Sequence, residues 1–390
     1  MNRIDVLIQQ HCPNGVDFIP LGEVCASIKT GKLNANAQEE KGKYPFFTCD
    51  AEPYRINTYA FDCEAILVTG NGSQVGHINY YNGKFNAYQR TYVLSSFDKS
   101  ISIFYALHYF KAHLKEYILI KSKKGSVPYI TLPMLLDFII PIPPLPVQEE
   151  IVRVLDTFTE LQAELQAELQ KRLQQYNYYR DQLLAGDESF QQCKLIDLLS
   201  QPITDGPHTT PQFFQTGVPF VSVEAVWDGR IHFEKKRGYI SPDFDKECSK
   251  KYKPRRDDVF MVKSGSTTGK VAYVDTDESF NIWSPLAAMR VNDKTSSRYL
   301  FHLLQTSQVQ EQVVSKSSQG SQPNLSMRVL EQFDVAVPSL TRQLEIVSLL
   351  DRFDTLTCDL SQGLPAEIEK RRQQYEYYRD KLLTFKRKEA

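Results

Sequence analysis

The segment Gly265-Ser-Thr-Thr-Gly-Lys270 comes closest in this sequence to a phosphate-binding loop. A Walker-type loop places four residues between its glycines and follows the lysine with Ser or Thr to hold magnesium. Here three residues separate Gly265 from Gly269, and Val271 follows Lys270. An ATP site is therefore not expected. A Gly/Ser turn between two β-prone runs is left, with backbone N–H groups, Lys263 and Lys270 able to meet a DNA phosphate. A plain tight turn fits the same residues equally well. Asn71-Gly-Ser-Gln-Val-Gly76 is a second version of the segment, and it places Ser73 and Ser266 in corresponding turns. Base edges in a groove are read by Arg, Lys, Asn and Gln. The candidates are Asn71, Gln74, Gln89 and Arg90 in the first half, and His208, Arg237, Thr267 and Thr268 in the second. Lys123, Lys124, Lys316 and Ser318 precede two matched Gly-Ser turns and are candidates for backbone contacts.

Other chemistries find little support. An adenine methyltransferase would carry an Asn/Asp-Pro-Pro-Tyr/Phe motif, which does not occur. The seven cysteines form no C-x-x-C pair, so neither zinc nor a redox couple is indicated and no metal site is expected. No stretch reaches the roughly 18 apolar residues of a membrane span. The first residues lack the charged-then-apolar order of a signal peptide, so a cytoplasmic protein with reduced thiols is expected. The net charge of −1 does not mark a nucleic-acid binder. Its distribution is more telling: ten Lys/Arg face four Asp/Glu between Arg230 and Arg256.

The 390 residues exceed one ordinary core, and an internal duplication shows how they divide. Gln148, Glu150, Ile151, Val152, Leu155, Asp156 and Phe158 recur 195 positions later as Gln343, Glu345, Ile346, Val347, Leu350, Asp351 and Phe353. Gln174, Gln175, Tyr176, Tyr178, Tyr179, Arg180 and Asp181 recur 199 positions later, from Gln373 to Asp380. The preceding segments match more loosely: Lys124-Gly-Ser-Val-Pro128 with Gln319-Gly-Ser-Gln-Pro323, and Phe85-Asn86 with Phe280-Asn281.

The elements that position these residues follow from pattern. Short β-prone runs punctuated by Gly, Asn and Pro fill both variable halves: 44–48, 65–69, 89–95, 218–223, 259–262, 271–274 and 287–291. One helical stretch accompanies each, 103–119 and 298–314. After each half, apolar residues recur at threes and fours, from Ile151 to Leu183 and from Ile346 to Tyr375, giving long helices with one apolar seam. Pro146 and Glu149 suit a helix start. The first helix, 38 residues from Val147 to Leu184, would run about 57 Å at ~1.5 Å per residue. Gly363 and Pro365 predict a kink or break in the second. The fold class is α+β: two irregular α/β domains joined by two long antiparallel coiled-coil helices with pseudo-two-fold symmetry. The expected boundaries are an N-terminal segment 1–17, a first domain 18–145, a central helical region 146–186, a second domain 187–340 and a C-terminal helical region 341–390.

Tyr176, Tyr179 and Leu183 fall on one helix face, as a helix-pair core would require. That account leaves the recurrence of Tyr178, Arg180 and Asp181 as Tyr377, Arg379 and Asp380 unexplained. A protein docking on each helix end would explain it, with Tyr375 and Tyr378 completing the second cluster.

Two divergent halves, each followed by a near-identical helix, resemble the specificity subunits of type I restriction-modification systems. The resemblance covers essentially the whole chain. It rests on the duplicated Q-x-E-I-V-x-x-L-D-x-F and Y-x-Y-Y-R-D-x-L-L stretches, and on the tandem Glu-Leu-Gln-Ala units from Glu160. It implies two target recognition domains that each read part of a split site in double-stranded DNA. It implies helices that bind two methyltransferase subunits, with restriction and translocation subunits joining them. S-adenosylmethionine, ATP and magnesium would belong to those partners, and this chain would be non-catalytic. The interruption at Gly363 and Pro365 departs from the pattern. A stand-alone two-headed DNA-binding regulator is the alternative reading; a nuclease or fused methyltransferase lacks its motifs.

Overall fold

The computed structural model describes residues 3–122, 128–318, 322–358 and 362–389. The chain divides into two compact units, residues 1–164 with 369–390, and residues 165–368. The units do not follow the linear boundaries read from sequence. Each takes the start of one long helix and the end of the other.

Seven helices matter here: α1 (Arg3–His11), α2 (Ile103–Lys121), α3 (Leu145–Leu184), α4 (Ser297–Leu304), α5 (Ser307–Lys316), α6 (Leu340–Cys358) and α7 (Leu364–Leu382). The 40-residue α3 is unbroken, about 60 Å long at ~1.5 Å per residue. The second long helix is not: α6 ends at Cys358, and α7 begins at Leu364 with Pro365 in its first turn. Of the kink or break expected at Gly363 and Pro365, the structure has the break. Proline is tolerated in a first turn but not in a helix interior.

In the first unit, β1 (Asp17–Pro20), β2 (Cys25–Thr30), β3 (Tyr44–Phe47), β4 (Tyr54–Ile56), β5 (Phe61–Thr69), β6 (Ile78–Ala87), β7 (Thr91–Phe97) and β8 (Ile139–Ile142) alternate with turns. Six of them form one sheet in the order β2-β7-β5-β6-β3-β4. All its pairs are antiparallel except β3 with β6, where Phe46 faces Asn86. Tyr105 and Phe110 of α2 are fully buried beside Ile66, Val68 and Leu94 of the sheet. β1 and β8 pair antiparallel from Asp17↔Ile142 to Pro20↔Ile139, which aims the chain into α3. Ile4 of α1 and Leu382 and Leu383 at the end of α7 complete the same core.

The second unit holds β9 (Gln191–Lys194), β10 (Thr204–Asp205), β11 (Val218–Val221), β12 (Val226–Trp227), β13 (Arg230–Ile231), β14 (Gly238–Ile240), β15 (Val259–Val262), β16 (Val271–Tyr273), β17 (Asn281–Ile282), β18 (Leu286–Met289) and β19 (Asp334–Val337). They form sheets β10-β18-β15-β16 and β14-β11-β17, with β9 paired to β19 and β12 to β13. The helix expected over 298–314 is split in two, because Thr306 turns its hydroxyl to the N–H of Val309 and caps α5.

The duplication extends to buried polar contacts. Gln148 Oε1 accepts the N–H of Ser102 at 2.8 Å, while its amide donates to Ser100 and Pro143 carbonyls, each at 2.7 Å. Gln343 repeats this with Ser296 at 2.9 Å, Lys294 at 3.1 Å and Pro338 at 3.0 Å. Both glutamines are buried, where an unmade amide bond would be costly. Asn86 and Asn281 likewise each accept the next residue's N–H at 3.0 Å, beside the parallel pairings of β3 with β6 and of β11 with β17.

Candidate nucleic-acid interface and helix-end clusters

The strand pairs β5–β6 and β15–β16 are each joined by a turn of the same build. Gly72 and Gly76 have φ of 84° and 78°, and Gly265 and Gly269 have 98° and 95°. A side chain at any of these would be forced into the left-handed region, which glycine enters freely. Each turn is anchored from behind. Gly70 N–H donates to the Arg90 carbonyl and Ile130 N–H to that of Gly70, both at 2.8 Å. In the second unit Lys263 N–H donates to Pro285 at 2.9 Å and Leu325 N–H to Lys263 at 2.7 Å. Inside the turns, Val75 and Thr268 N–H groups return to Gly72 and Gly265. The N–H groups of Ser73, Gln74, Ser266 and Thr267 have no acceptor among the described residues. A Cβ built at Gly72 or Gly265 would meet nothing within 4 Å, so both tips are bare.

The anchoring gathers several of the expected reading residues. Arg90 and Gln89 are exposed and stand beside the first turn with Ser73 and Gln74. Asn71 is half-buried and its Oδ1 accepts from the Cys49 thiol at 2.9 Å, so it holds the turn more than it reaches outward. In the second unit Ser318 is tied to Asn324 in both directions, at 3.0 and 3.2 Å, and Asn324 bridges to Ser264 beside the turn. Thr268 spends its hydroxyl on the Gly265 carbonyl at 2.7 Å, leaving Ser266 and Thr267 as the open side chains. His208 is three-quarters exposed with Nε2 3.6 Å from Asp205. Arg237 pairs with Glu224 at 2.8 Å and lies over the Trp283 ring. Lys316 bonds Gln312 at 2.8 Å and covers Phe333. Lys123 and Lys124 lie outside the described residues.

Lys263 corrects the sequence reading. Its side chain is only 12% exposed and its Nζ lies 3.3 Å from Asp205 Oδ2, which also pairs with Lys251. A buried carboxylate needs such partners, so Lys263 is committed inside the unit and is not free for phosphate. Lys270 remains outward, with its Nζ 3.7 Å from the centre of the Trp227 ring.

Trp227 is a feature the sequence reading missed. It lies on the hairpin β12–β13, where Trp227 faces Arg230 across a two-residue loop. Asp228 and Gly229 have φ of 43° and 80°, the type I′ turn that an Asp-Gly pair favours. Trp-Asp-Gly-Arg was the legible signal. The hairpin is braced by His232, with Nε2 2.8 Å from Asp228 and Nδ1 3.0 Å from Glu234. Burial opposes charge on His232, but the two carboxylates outweigh it and its pKa is raised. Trp227, half-exposed, lines a cavity of about 460 Å³ with Lys270, Gln310, Arg180 and Cys358. Among the described residues the first unit has no such hairpin.

The helix-end tyrosines separate into two roles. Tyr176 is buried, its hydroxyl 2.9 Å from His302 Nδ1, and Arg180 is buried over the Tyr176 ring. Asp181 accepts the N–H and hydroxyl of Ser307 at the start of α5. Expected as partner contacts, Tyr176 and Arg180 are instead core, and Asp181 caps a helix. Tyr178 and Tyr377 are the reverse, 62% and 63% exposed. Each meets its neighbour edge-on, Tyr178–Tyr179 at 5.4 Å and Tyr377–Tyr378 at 5.3 Å. Those neighbours stack on Phe353 and Phe158, so each unit presents an outward tyrosine on a rigid base. Tyr375 is half-buried under Arg379, which pairs with the exposed Asp380 at 2.6 Å. Among the described residues no group of His, Cys, Asp and Glu could hold a metal, and no helix is long and apolar enough to cross a membrane.

Comparison with known proteins agrees with this architecture. The family model of the type I restriction modification DNA specificity domain matches twice, over residues 13–175 and 212–370. An Escherichia coli type I restriction enzyme specificity subunit is 34% identical over 252 residues, which is 63% of this chain and 61% of that protein. A candidate type I specificity subunit of Haemophilus influenzae is 29% identical over 95% of this chain and 96% of its own length. Among solved structures, the S subunit of a type I restriction-modification system from M. genitalium superimposes with a TM-score of 0.56 at 16% identity, covering 95% of this chain and 96% of that one. A chain of another type I system, solved in connection with complex assembly and conformational transition, gives 0.58 at 15% identity, covering 95% and 98%. The DNA specificity domain is thus present twice in this chain. The chain belongs to the type I restriction-modification DNA specificity family.

Proposed function

We propose that each unit reads one part of a split double-stranded DNA target, and that the long helices seat two methyltransferase subunits to which restriction and translocation subunits add. The observation that carries this reading is the pair of bare Gly turns, built and anchored alike in two units whose surrounding surfaces differ. Exposed N–H groups and hydroxyls fix a phosphate backbone without regard to sequence, while divergent neighbours supply base choice. Ser73, Gln74, Gln89 and Arg90 serve one half-site, and His208, Arg237, Ser266, Thr267 and Lys270 serve the other. Tyr178 and Tyr377 are the helix-end contacts for the methyltransferase subunits. S-adenosylmethionine, ATP and magnesium act on those partners and not on this chain.

Exchange of residues 18–145 for the same region of a relative, followed by methylome sequencing, tests the reading. One half of the methylated site should change and the other persist. A change in both halves defeats the assignment of independent reading units.

A further inference from the structure

Arg180 near the end of α3 and its repeat Arg379 near the end of α7 are held differently. Arg379 is clamped by Asp380 Oδ1, which accepts from Nε at 2.8 Å and from Nη2 at 2.6 Å. Arg180 reaches Asp181 only at 3.4 and 3.5 Å, because Asp181 is turned to the N–H and hydroxyl of Ser307. Arg180 is nonetheless the more buried, its side chain 10% exposed against 25% for Arg379. A buried guanidinium without a close carboxylate is costly, and Arg180 lines the cavity of about 460 Å³ beside Trp227. Lys270 lines it too. Among the described residues Lys270 has no carboxylate partner and rests on the Trp227 ring. The two acids on the wall are engaged elsewhere, Asp228 by His232 at 2.8 Å and Asp354 by Arg298 at 3.1 Å. Asn177 is exposed on the same wall, and its side chain makes no hydrogen bond among the described residues. Every wall of the cavity belongs to the second unit. The first unit departs at two of these positions: Arg379 is clamped, and His77 follows Gly76 where Lys270 follows Gly269.

Two under-paired cations, an open indole and an unused amide are the parts that hold a phosphate, a base and the edge of that base. We propose that this cavity binds one nucleoside 5′-phosphate unit, with the phosphate between Arg180 and Lys270, the base on Trp227 and its edge at Asn177. Arginine offers a phosphate a fork of donors, and lysine offers a mobile point charge. Lys270 leaves the ring for the phosphate, and the face it vacates takes the base, one partner of the ring replacing another. The volume falls in the ~300–1,000 Å³ range of small-ligand sites, so it suits a single nucleotide and not a duplex. Two cations match the charge of one phosphate group, which points to a monophosphate and away from ATP. The unit has two sources, a free mononucleotide or a nucleotide turned out of bound DNA. Only the second rests on the function proposed above.

Titration calorimetry of the full chain with dAMP, dGMP, dCMP and dTMP reads the first source. One of them should bind, and Trp227→Ala should weaken it by about fivefold or more. The same nucleoside without its phosphate should bind about tenfold more weakly. Trp227 is 53% exposed, so the variant should keep its circular dichroism spectrum. Trp283→Phe leaves Trp227 as the single indole, and the bound nucleotide should quench its fluorescence. The second source is read with the methylated target, carrying an abasic site opposite each base of the second half-site in turn. Lost pairing lowers the cost of turning a base out. One position should then bind about threefold tighter or better in the wild type, and not in Trp227→Ala. A response in either arm that Trp227→Ala removes supports the site and names its source. Silence in both arms overturns it, as does binding that Trp227→Ala leaves intact or that the nucleoside matches. A chain that takes a mononucleotide but binds no DNA defeats the proposed function and leaves the site standing.

Discussion

The Tyr176 hydroxyl lies 2.9 Å from Nδ1 of His302, whose Nε2 lies 2.8 Å from Asp351. The imidazole is thus bracketed as a neutral ring that accepts from tyrosine and donates to carboxylate. In the first unit His108 Nε2 makes the matching 2.8 Å contact to Asp156, but its buried Nδ1 has no partner among the described residues. Tyr176→Phe should therefore strand His302 Nδ1 and cost about 1–3 kcal/mol. Tyr375→Phe, the corresponding change, should cost far less. Hydrogen exchange over α4 and over α2 separates the two; equal loss of protection would contradict the asymmetry.

Burial lowers the pKa of His302 despite Asp351. The unfolded chain takes up a proton near pH 6.5 while the folded ring stays neutral. Stability of the second unit should fall as pH drops below about 6.5. A pH series of denaturation curves for wild type and His302→Gln should show that slope only in the wild type.

His232 has the opposite sign. Its pKa is raised in the fold, so its contribution is complete below the unfolded value and is lost as pH rises through the folded one. Exchange at Trp227 and Arg230, corrected for its intrinsic pH dependence, should speed up over that rise. His232→Gln should remove the dependence, and a hairpin equally stable on both sides of the transition would refute the brace.

Lys263 and Lys270 should behave differently on DNA. Lys270→Ala should lower affinity for all sequences and reduce the salt slope by roughly one. Lys263→Ala takes one of two lysines from buried Asp205 and should destabilise the second unit with little change in slope. Salt titrations and thermal melts of both variants decide the matter; a slope loss at Lys263 would restore it to the interface.

The tandem Glu-Leu-Gln-Ala units lie within unbroken α3. One more unit after Ala167 adds about 6 Å and about 40°. A base pair adds ~3.4 Å and about 35°, from 10–10.5 pairs per turn. The unspecified spacer of the target should lengthen by one pair or two, with both half-sites kept. Methylome sequencing of a strain carrying the insertion reads this directly, and an unchanged spacer with full activity would rule out α3 as the ruler.

What was legible in sequence follows physical range. β15 and α3 were plain because Val259–Val262 is a continuous apolar run and the α3 leucines keep a local spacing. β6 was hidden: Asn82-Gly83 reads as a turn, yet Glu64 and Cys63 of β5 pair with both residues inside the strand. Lys263 was misjudged because its carboxylate, Asp205, stands far away in sequence. The spacing of Tyr176 put it on the core face, but it was also counted with the partner contacts because its recurrence was visible while its buried partner His302, 126 residues on, was not. The Gly turns were read correctly as turns, since positive φ is a local demand.

Val16 N–H donates to the Lys386 carbonyl at 2.9 Å, and Lys388 N–H returns to Val16 at 3.0 Å. The first unit is thus sewn shut by residues made after the whole of the second, which is contiguous from 165 to 368. Translation order and completion order are then inverted: the half encoded second has all its parts first, and the half encoded first must wait with its core open. A nonsense codon at position 386 would injure the domain written before either long helix.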